Sequence, residues 1–228
     1  MAKGAATRKQ LLKEPDQFIT FSGKLIAFGR SNAKTILIST GIILALLLAL
    51  VTVRQVSHRN ESRASELVEK AVTKYSAALQ DTTPQTAYDR VKTDFAAIFD
   101  KYDSKNAAKV ARIIYADISY NAGDADTAIA MYTKALDDFS QSPAMKNIVL
   151  SGLGYAFILK AEYPRSIHYF EMISADKDNT MKSGALFNLA WLYEAAGEKE
   201  KGASMYKQLL TDFPESMYGD LVREKVSG

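Results

Sequence analysis

Nineteen consecutive residues without a charge, Thr35 to Val53 (TILISTGIILALLLALVTV), constrain this chain more than any other feature. As a helix rising 1.5 Å per residue they reach about 29 Å, close to the roughly 30 Å hydrocarbon core of a bilayer. Twelve of the nineteen are Leu, Ile or Val, and each such side chain favours insertion by about 0.3–0.6 kcal/mol. A cleaved signal peptide has a shorter apolar run with a small-residue cleavage site just behind it. Here 34 residues precede the run and Arg54-Gln-Val-Ser-His58 follows it. Residues 35–53 therefore read as an uncleaved single span rather than a leader or a buried core helix.

Charge is distributed unevenly around that span. Residues 1–34 carry Lys3, Arg8, Lys9, Lys13, Lys24, Arg30 and Lys34 against Glu14 and Asp16, a net +5, while the remainder sums to −2. A basic arm on a nearly neutral body faces a membrane or a partner. A nucleic-acid partner is not expected, because that would call for a basic stripe on the folded part. Seven Lys/Arg in the tail against four in residues 54–73 favour a cytoplasmic N-terminus; over the nearest 15 residues on each side the tally is level. Within the tail, Phe18, Phe21, Leu25 and Phe28 recur at helical spacing beside Ile19 and Ile26, with Glu14-Pro15-Asp16 as a start signal. That pattern fits a short amphipathic helix lying at the membrane interface. A docking segment for another membrane protein has the same pattern.

Beyond the span, residues 54–80 read as an emerging linker helix, with Ala64, Leu67, Val68, Ala71, Val72, Tyr75, Ala78 and Leu79 in one stripe. Asp81-Thr-Thr-Pro84 ends it. From there to the C-terminus the chain is repetitive. Phe95–Tyr102, Tyr132–Phe139 and Tyr206–Phe213 each place two aromatics seven residues apart around an aliphatic centre, and Phe170-Glu-Met-Ile173 opens a degenerate copy. The starts are spaced 37, 38 and 36 residues, and turns at Asn121–Asp124, Lys160–Tyr163 and Ala196–Lys199 precede the later copies. A period of this size with two helices per unit signals a helical solenoid. The scarcity of turn residues, 12 Gly and 5 Pro, argues against a many-stranded β protein.

These residues resemble the tetratricopeptide repeat. Leu186, Leu189, Ala190, Tyr193, Gly197, Tyr206, Leu209 and Pro214 follow its pattern, with Gly202 where Ala is usual. Leu153, Gly154, Phe157, Tyr163, Ser166, Phe170 and Ile173 do so in the preceding unit, where Asp178 stands in place of the terminal Pro. In the unit before that, Tyr115, Ala116, Gly123, Asp124, Ala128, Tyr132 and Ala135 match, and Ser119 replaces an aromatic. The expected fold is all-α. Residues 81–228 form a repeat domain with units at about 84–106 (degenerate), 109–142, 147–178 and 183–216, closed by a capping helix around Met217, Leu221, Val222 and Val226.

The layout of basic tail, single span, emerging helix and divergent repeats resembles the ancillary SecYEG translocon subunit family of bacterial inner membranes. The resemblance implies a repeat domain in the periplasm, a cytoplasmic N-terminus, and partners among translocon subunits, periplasmic chaperones or their clients. Phe213-Pro-Glu-Ser216 also resembles the repeats of cell-division coordinator and outer-membrane assembly lipoproteins. A structural organiser of an envelope or cell-division complex, without client binding, is accordingly the alternative. In the tetratricopeptide family the first helix of each unit lines a concave surface. Carried over, this places Asp117, Tyr120 and Asn121, then Tyr155, Ile158 and Leu159, then Phe187, Trp191 and Glu194 in a candidate protein-binding groove. The opposing possibility is that residues 54–80 or the capping helix cover that face.

No catalytic constellation accompanies the repeats. The absence of Cys removes thiol nucleophiles and CxxC motifs, and two His cannot build a multi-His metal site. Gly152-Leu-Gly154 lies inside a helical pattern without the strand a phosphate loop needs. His168 near Glu171 reads as a surface residue, His58 has no second metal-ligating residue at useful spacing, and Asn60-Glu-Ser62 is a sequon by spelling alone. The chain is expected to be no enzyme and to take no cofactor, metal or small-molecule substrate.

Overall fold

The computed structural model describes residues 17–175 and 180–227, helices joined by short turns and loops. Lys3, Arg8, Lys9, Lys13, the Glu14–Asp16 start and Asp178 lie outside the described residues, as do the side chains of Phe18, Ile19 and Val226. The chain divides into two compact units between His58 and Arg59. In the first, α1 (Gln17–Ser31) is followed after Asn32 by α2 (Ala33–Asp81). Among the described residues α2 is the one helix long and apolar enough to cross a membrane, and none of its apolar stretch is buried by protein. The Thr52 hydroxyl donates to the Leu48 carbonyl at 2.8 Å, so this polar group is satisfied without water, as a lipid environment requires.

The second unit contains the distal part of α2 and eight further described helices. These are α3 (Pro84–Tyr102), α4 (Asn106–Asn121), α5 (Ala125–Asp138), α6 (Pro143–Leu159), α7 (Tyr163–Ser174), α8 (Lys182–Ala195), α9 (Lys199–Asp212) and α10 (Gly219–Ser227). Their starts follow local chemistry. Thr83 caps α3 by accepting from the Thr86 N–H at 3.3 Å, with Pro84 opening the helix. Asp124 caps α5 by accepting from the Thr127 N–H at 3.0 Å. Helix α4 begins after Lys105, which supplies no side-chain cap. Glu61 on α2 does this instead, accepting from the N–H groups of Asn106 at 3.1 Å and Ala107 at 2.7 Å.

Four successive cores run along the array, each built by three consecutive helices. Ala64, Ala71, Tyr75 and Ala78 of α2 join Tyr88, Val91, Phe95 and Ile98 of α3 and Ala108, Ala111 and Tyr115 of α4. The next core takes α4, α5 and α6, the third α6, α7 and α8, and the last α8, α9 and α10. Each pair completes its core with the first helix of the next, so contacts stay between neighbours, the quasi-one-dimensional logic of a solenoid. Residues Arg59 to Asp81 thus supply the first helix of a pair with α3.

Small residues set how closely the helices cross. A Cβ on Gly152 would stand 2.4 Å from the Tyr132 ring of α5, and one on Gly154 would stand 2.6 Å from the Phe170 ring of α7. Helix α6 is therefore gripped by aromatics from both neighbouring second helices. Gly202 approaches the Ala190 carbonyl so closely that a Cβ would lie 2.8 Å from it. Sequence reasoning counts Gly202 as a loss of helix propensity; in the fold it is what lets α9 meet α8.

Three equivalent turns close the first helices of the repeating pairs. Asp124 N–H donates to the Ser119 carbonyl, Glu162 N–H to that of Phe157 and Glu198 N–H to that of Tyr193, at 2.8–2.9 Å. The residue before each donor is left-handed: Gly123 (φ 84°), Ala161 (φ 57°) and Gly197 (φ 85°). Such turns satisfy the last helical carbonyls and want glycine. Ala161 holds the same conformation with a Cβ, which costs about 1–2 kcal/mol. Ala161→Gly is expected to stabilise the repeat domain by about 0.5–1 kcal/mol, once the added freedom of the unfolded chain is subtracted. Thermal denaturation checks this, with a rise of roughly 1–4 °C.

Candidate protein-binding surface

The three turns fix a common register for the helices they end. Asp117, Tyr155 and Trp191 each lie six residues before a left-handed turn residue, on α4, α6 and α8, and all three are exposed. Tyr120, Ile158 and Glu194 lie three before it and are half-buried, because their side chains turn toward the next helix in the chain. Tyr120 packs on the α4–α6 core and Ile158 on the α6–α8 core. Asn121 and Leu159, next in order, are exposed.

Individual placements differ from residue to residue. Tyr155 meets Phe170 edge-on at 5.3 Å and its hydroxyl accepts from Asn188 Nδ2 at 3.0 Å. A cleft of about 310 Å³ opens beside it, between Ser151, Asn188, Gly184 and Tyr218. Trp191 is 39% exposed, its ring edge-on to Tyr163 at 5.9 Å. Phe187 is stacked on Tyr218 at 4.8 Å and is half-buried. Glu194 pairs with Lys225 of α10. The C-terminal segment therefore covers the outer edge of the surface at Phe187 and Glu194, while Tyr155, Leu159 and Trp191 stay open. Residues Arg59 to Asp81 of α2 pack with α3 and α4 and extend the row of first helices at its other end.

Exposed large apolar side chains in α3 to α9 concentrate on the first helices: Val110, Ile148, Tyr155, Leu159 and Trp191. Met172 alone lies on a second helix. Val110 and Ile148 stand one heptad before Asp117 and Tyr155, a spacing that sequence reasoning had the means to extend to them. At the α2 end, Val68, Val72, Ala107, Val110 and Ile114 line an open apolar groove of about 470 Å³.

One charge on this surface is unusual. Tyr132 donates its hydroxyl to the Asp117 carboxylate. Desolvation raises the Asp117 pKa above the ordinary carboxylate value, and the Tyr132 bond lowers it by less. Burial, then the same bond, drives the Tyr132 hydroxyl far upward. His168 is exposed and its ring meets Tyr169 edge-on at 5.4 Å. Among the described residues no group of three or more His, Cys, Asp or Glu is placed to hold a metal.

A family description of tetratricopeptide repeat-like domains matches residues 27–161, well over half of the chain. The chain belongs to the tetratricopeptide repeat-like domain family. A second match, to the tetratricopeptide repeat itself, covers residues 184–216. Among solved structures, nearly identical tetratricopeptide-like repeats of kinesin light chain type from Podosopora anserina superpose with a TM-score of 0.53. They are 14% identical, over 69% of this chain and 78% of that one, a likeness of fold alone. No curated protein matches. Repeats of this kind generally serve as protein-interaction scaffolds rather than enzymes, and the open first-helix face is where such a domain has side chains to offer.

Two measurements on the free protein check this geometry. Trp191 is the only tryptophan, so iodide is expected to quench the intrinsic emission readily; a blue-shifted, unquenchable spectrum places the ring in a core. Asp117 contributes through its raised pKa. The folded state holds that proton more tightly than the unfolded chain, so stability is lost as pH rises through the folded value. Asp117→Asn keeps an acceptor for Tyr132 and removes the ionisation. Its melting temperature is expected to exceed that of the parent at about pH 7 and to match it by about pH 3, below the ordinary carboxylate range.

Proposed function

We propose that this chain is a single-pass membrane protein whose repeat domain binds other proteins in the bacterial periplasm. In this reading residues 1–34 are a cytoplasmic basic tail, 35–53 the span, 54–80 the helix that leaves it and whose distal part packs into the array, and 81–228 the rest of the interaction domain. The observation that carries the binding role is the concentration of exposed apolar side chains on the first helices, from Val110 through Tyr155 and Leu159 to Trp191. A face with several large uncovered apolar groups marks a partner site, and an extended peptide or an amphipathic helix fits a row of parallel helices. Asp117, Tyr120, Asn121, Tyr155, Ile158, Leu159 and Trp191 are its proposed contacts, with Phe187 and Glu194 at the rim beside Tyr218 and Lys225.

Anchoring is supported by the 19-residue uncharged stretch, which lies in a long helix whose apolar part is not buried by protein. The basic tail supports a cytoplasmic N-terminus. The layout resembles ancillary translocon subunits, which directs the search for partners toward translocon subunits, periplasmic chaperones and client chains.

The test joins topology to binding. Protease added to spheroplasts is expected to digest residues 54–228 while the cytosol stays intact; protection of that segment overturns the periplasmic assignment. Affinity capture of the full chain from mildly solubilised inner membranes is expected to recover translocon subunits or chaperones. Trp191→Ala is expected to weaken that capture by at least ~2 kcal/mol, roughly thirtyfold, with little change in melting temperature. An early melt without a specific binding loss makes Trp191 structural, and recovery of an unrelated envelope complex favours an organising role.

A further inference from the structure

Helix α1 carries an apolar stripe that the other described residues leave exposed. Phe21, Leu25 and Phe28 follow one another at intervals of four and three residues, fall on one side of the helix, and are 59–64% exposed. Lys24 flanks that stripe and Arg30 lies on the opposite side. Neither is paired with an acid along this stretch, because residues 17–60 contain no Asp or Glu at all. The backbone ladder runs on through the junction: the Phe28 carbonyl accepts from the Asn32 N–H at 3.0 Å and the Asn32 carbonyl from the Ile36 N–H at 2.9 Å, while Asn32 Nδ2 and the Ser31 hydroxyl also bond the Phe28 carbonyl, each at 3.1 Å. Side chains that bond back onto a ladder carbonyl, as Ser31 and Asn32 do here, mark a place where a helix can bend. The apolar run begins at Thr35, four residues after α1 ends.

We propose that α1 binds flat on an anionic lipid surface, with Phe21, Leu25 and Phe28 at the acyl boundary, Lys24 among the headgroup phosphates and Arg30 above them, within reach of the surface potential. The inference rests on the reading of residues 35–53 as a span, since that tether holds α1 at headgroup depth. An exclusively basic flank is complementary to anionic lipid, and a stripe of two Phe and one Leu suits the headgroup–acyl boundary. Lys24, at the edge of the stripe, reaches phosphate by extending its stem along the surface.

Depth measurements on the full-length chain test this. In a Trp191→Phe background, a single tryptophan replaces Phe21, Leu25, Phe28 or, as a control within the span, Leu46. Each variant is reconstituted in phosphatidylcholine–phosphatidylglycerol vesicles with lipids brominated at defined acyl positions, after circular dichroism has confirmed its helix content. The three α1 sites are expected to report one shallow depth and Leu46 a deep one. If α1 instead continues along the axis of the span, residues 21 and 28 differ by about 10 Å, which overturns the proposal. Unquenched α1 sites beside a quenched Leu46 overturn it too, and make a protein the partner of the stripe. An unquenched Leu46 overturns the span reading itself, a distinguishable failure. Lys24→Gln with Arg30→Gln is expected to reduce the surface-bound population by about fivefold per charge removed, and to weaken the preference for phosphatidylglycerol, which the remaining basic residues of the tail keep in part. An unchanged preference overturns the anionic part of the assignment.

Discussion

The close crossing of first and second helices governs the rest of the repeat domain. Where an aromatic ring from α5 or α7 reaches α6, the sequence supplies Gly152 and Gly154; where α9 meets the backbone of α8, it supplies Gly202. Each contact trades helix propensity, about 1 kcal/mol per glycine relative to alanine, for backbone proximity that buries Tyr132, Phe170 and Leu209 almost completely. Because one face of each first helix is used up in these crossings, its opposite face is left without a partner within the array. The exposed row of Asp117, Tyr155 and Trp191 is a consequence of that packing.

Polar ties fix the order of the pairs where apolar packing alone would allow slippage. Arg112 is buried, pairs with Asp103 and Asp138, and also donates to the Asp103 carbonyl at 2.9 Å. It therefore fastens the end of α3 and the end of α5 to the middle of α4. The Tyr115 hydroxyl donates to Tyr88 at 3.3 Å and Tyr88 donates to Asp124 at 2.8 Å, so the residue that caps α5 also holds α3. Burial raises the Asp124 carboxyl, but the bonds from Thr127 and Tyr88 and the charge of Lys92 outweigh it and keep the pKa below its ordinary value. Satisfied buried networks of this kind specify one arrangement, and here they cluster at the α3–α5 end, where the repeat pattern is most degenerate.

The repeat architecture was legible because its signals are local. Aromatics seven residues apart, small residues at crossings and the three turns recur at a nearly constant period, and a two-helix unit of that length has few ways to stack. The partner of α3 was harder to read, since its pairing with Arg59 to Asp81 depends on contacts such as Glu61 with the start of α4, 45 residues on, which leave no periodic trace. Arg112 was equally silent: one arginine in an amphipathic helix looks like a surface charge until both of its acids are brought to it. Phe187 and Trp191 are one turn apart and look alike in sequence, yet Tyr218 stacks on the first and the second keeps an open face.

By itself the sequence determined the all-helical class, the uncharged stretch long enough to cross a bilayer, the repeat period and the positions of the turns. These follow from composition and spacing within a few helical turns. Only the tertiary structure decided which first-helix residues remain uncovered, that α2 supplies a helix to the array, and that glycines at 152, 154 and 202 are required by their neighbours. The physical reason is the same in each case. Helix formation is settled by residues three and four apart, whereas burial depends on which distant side chain arrives at a surface, and that is settled only when the helices pack.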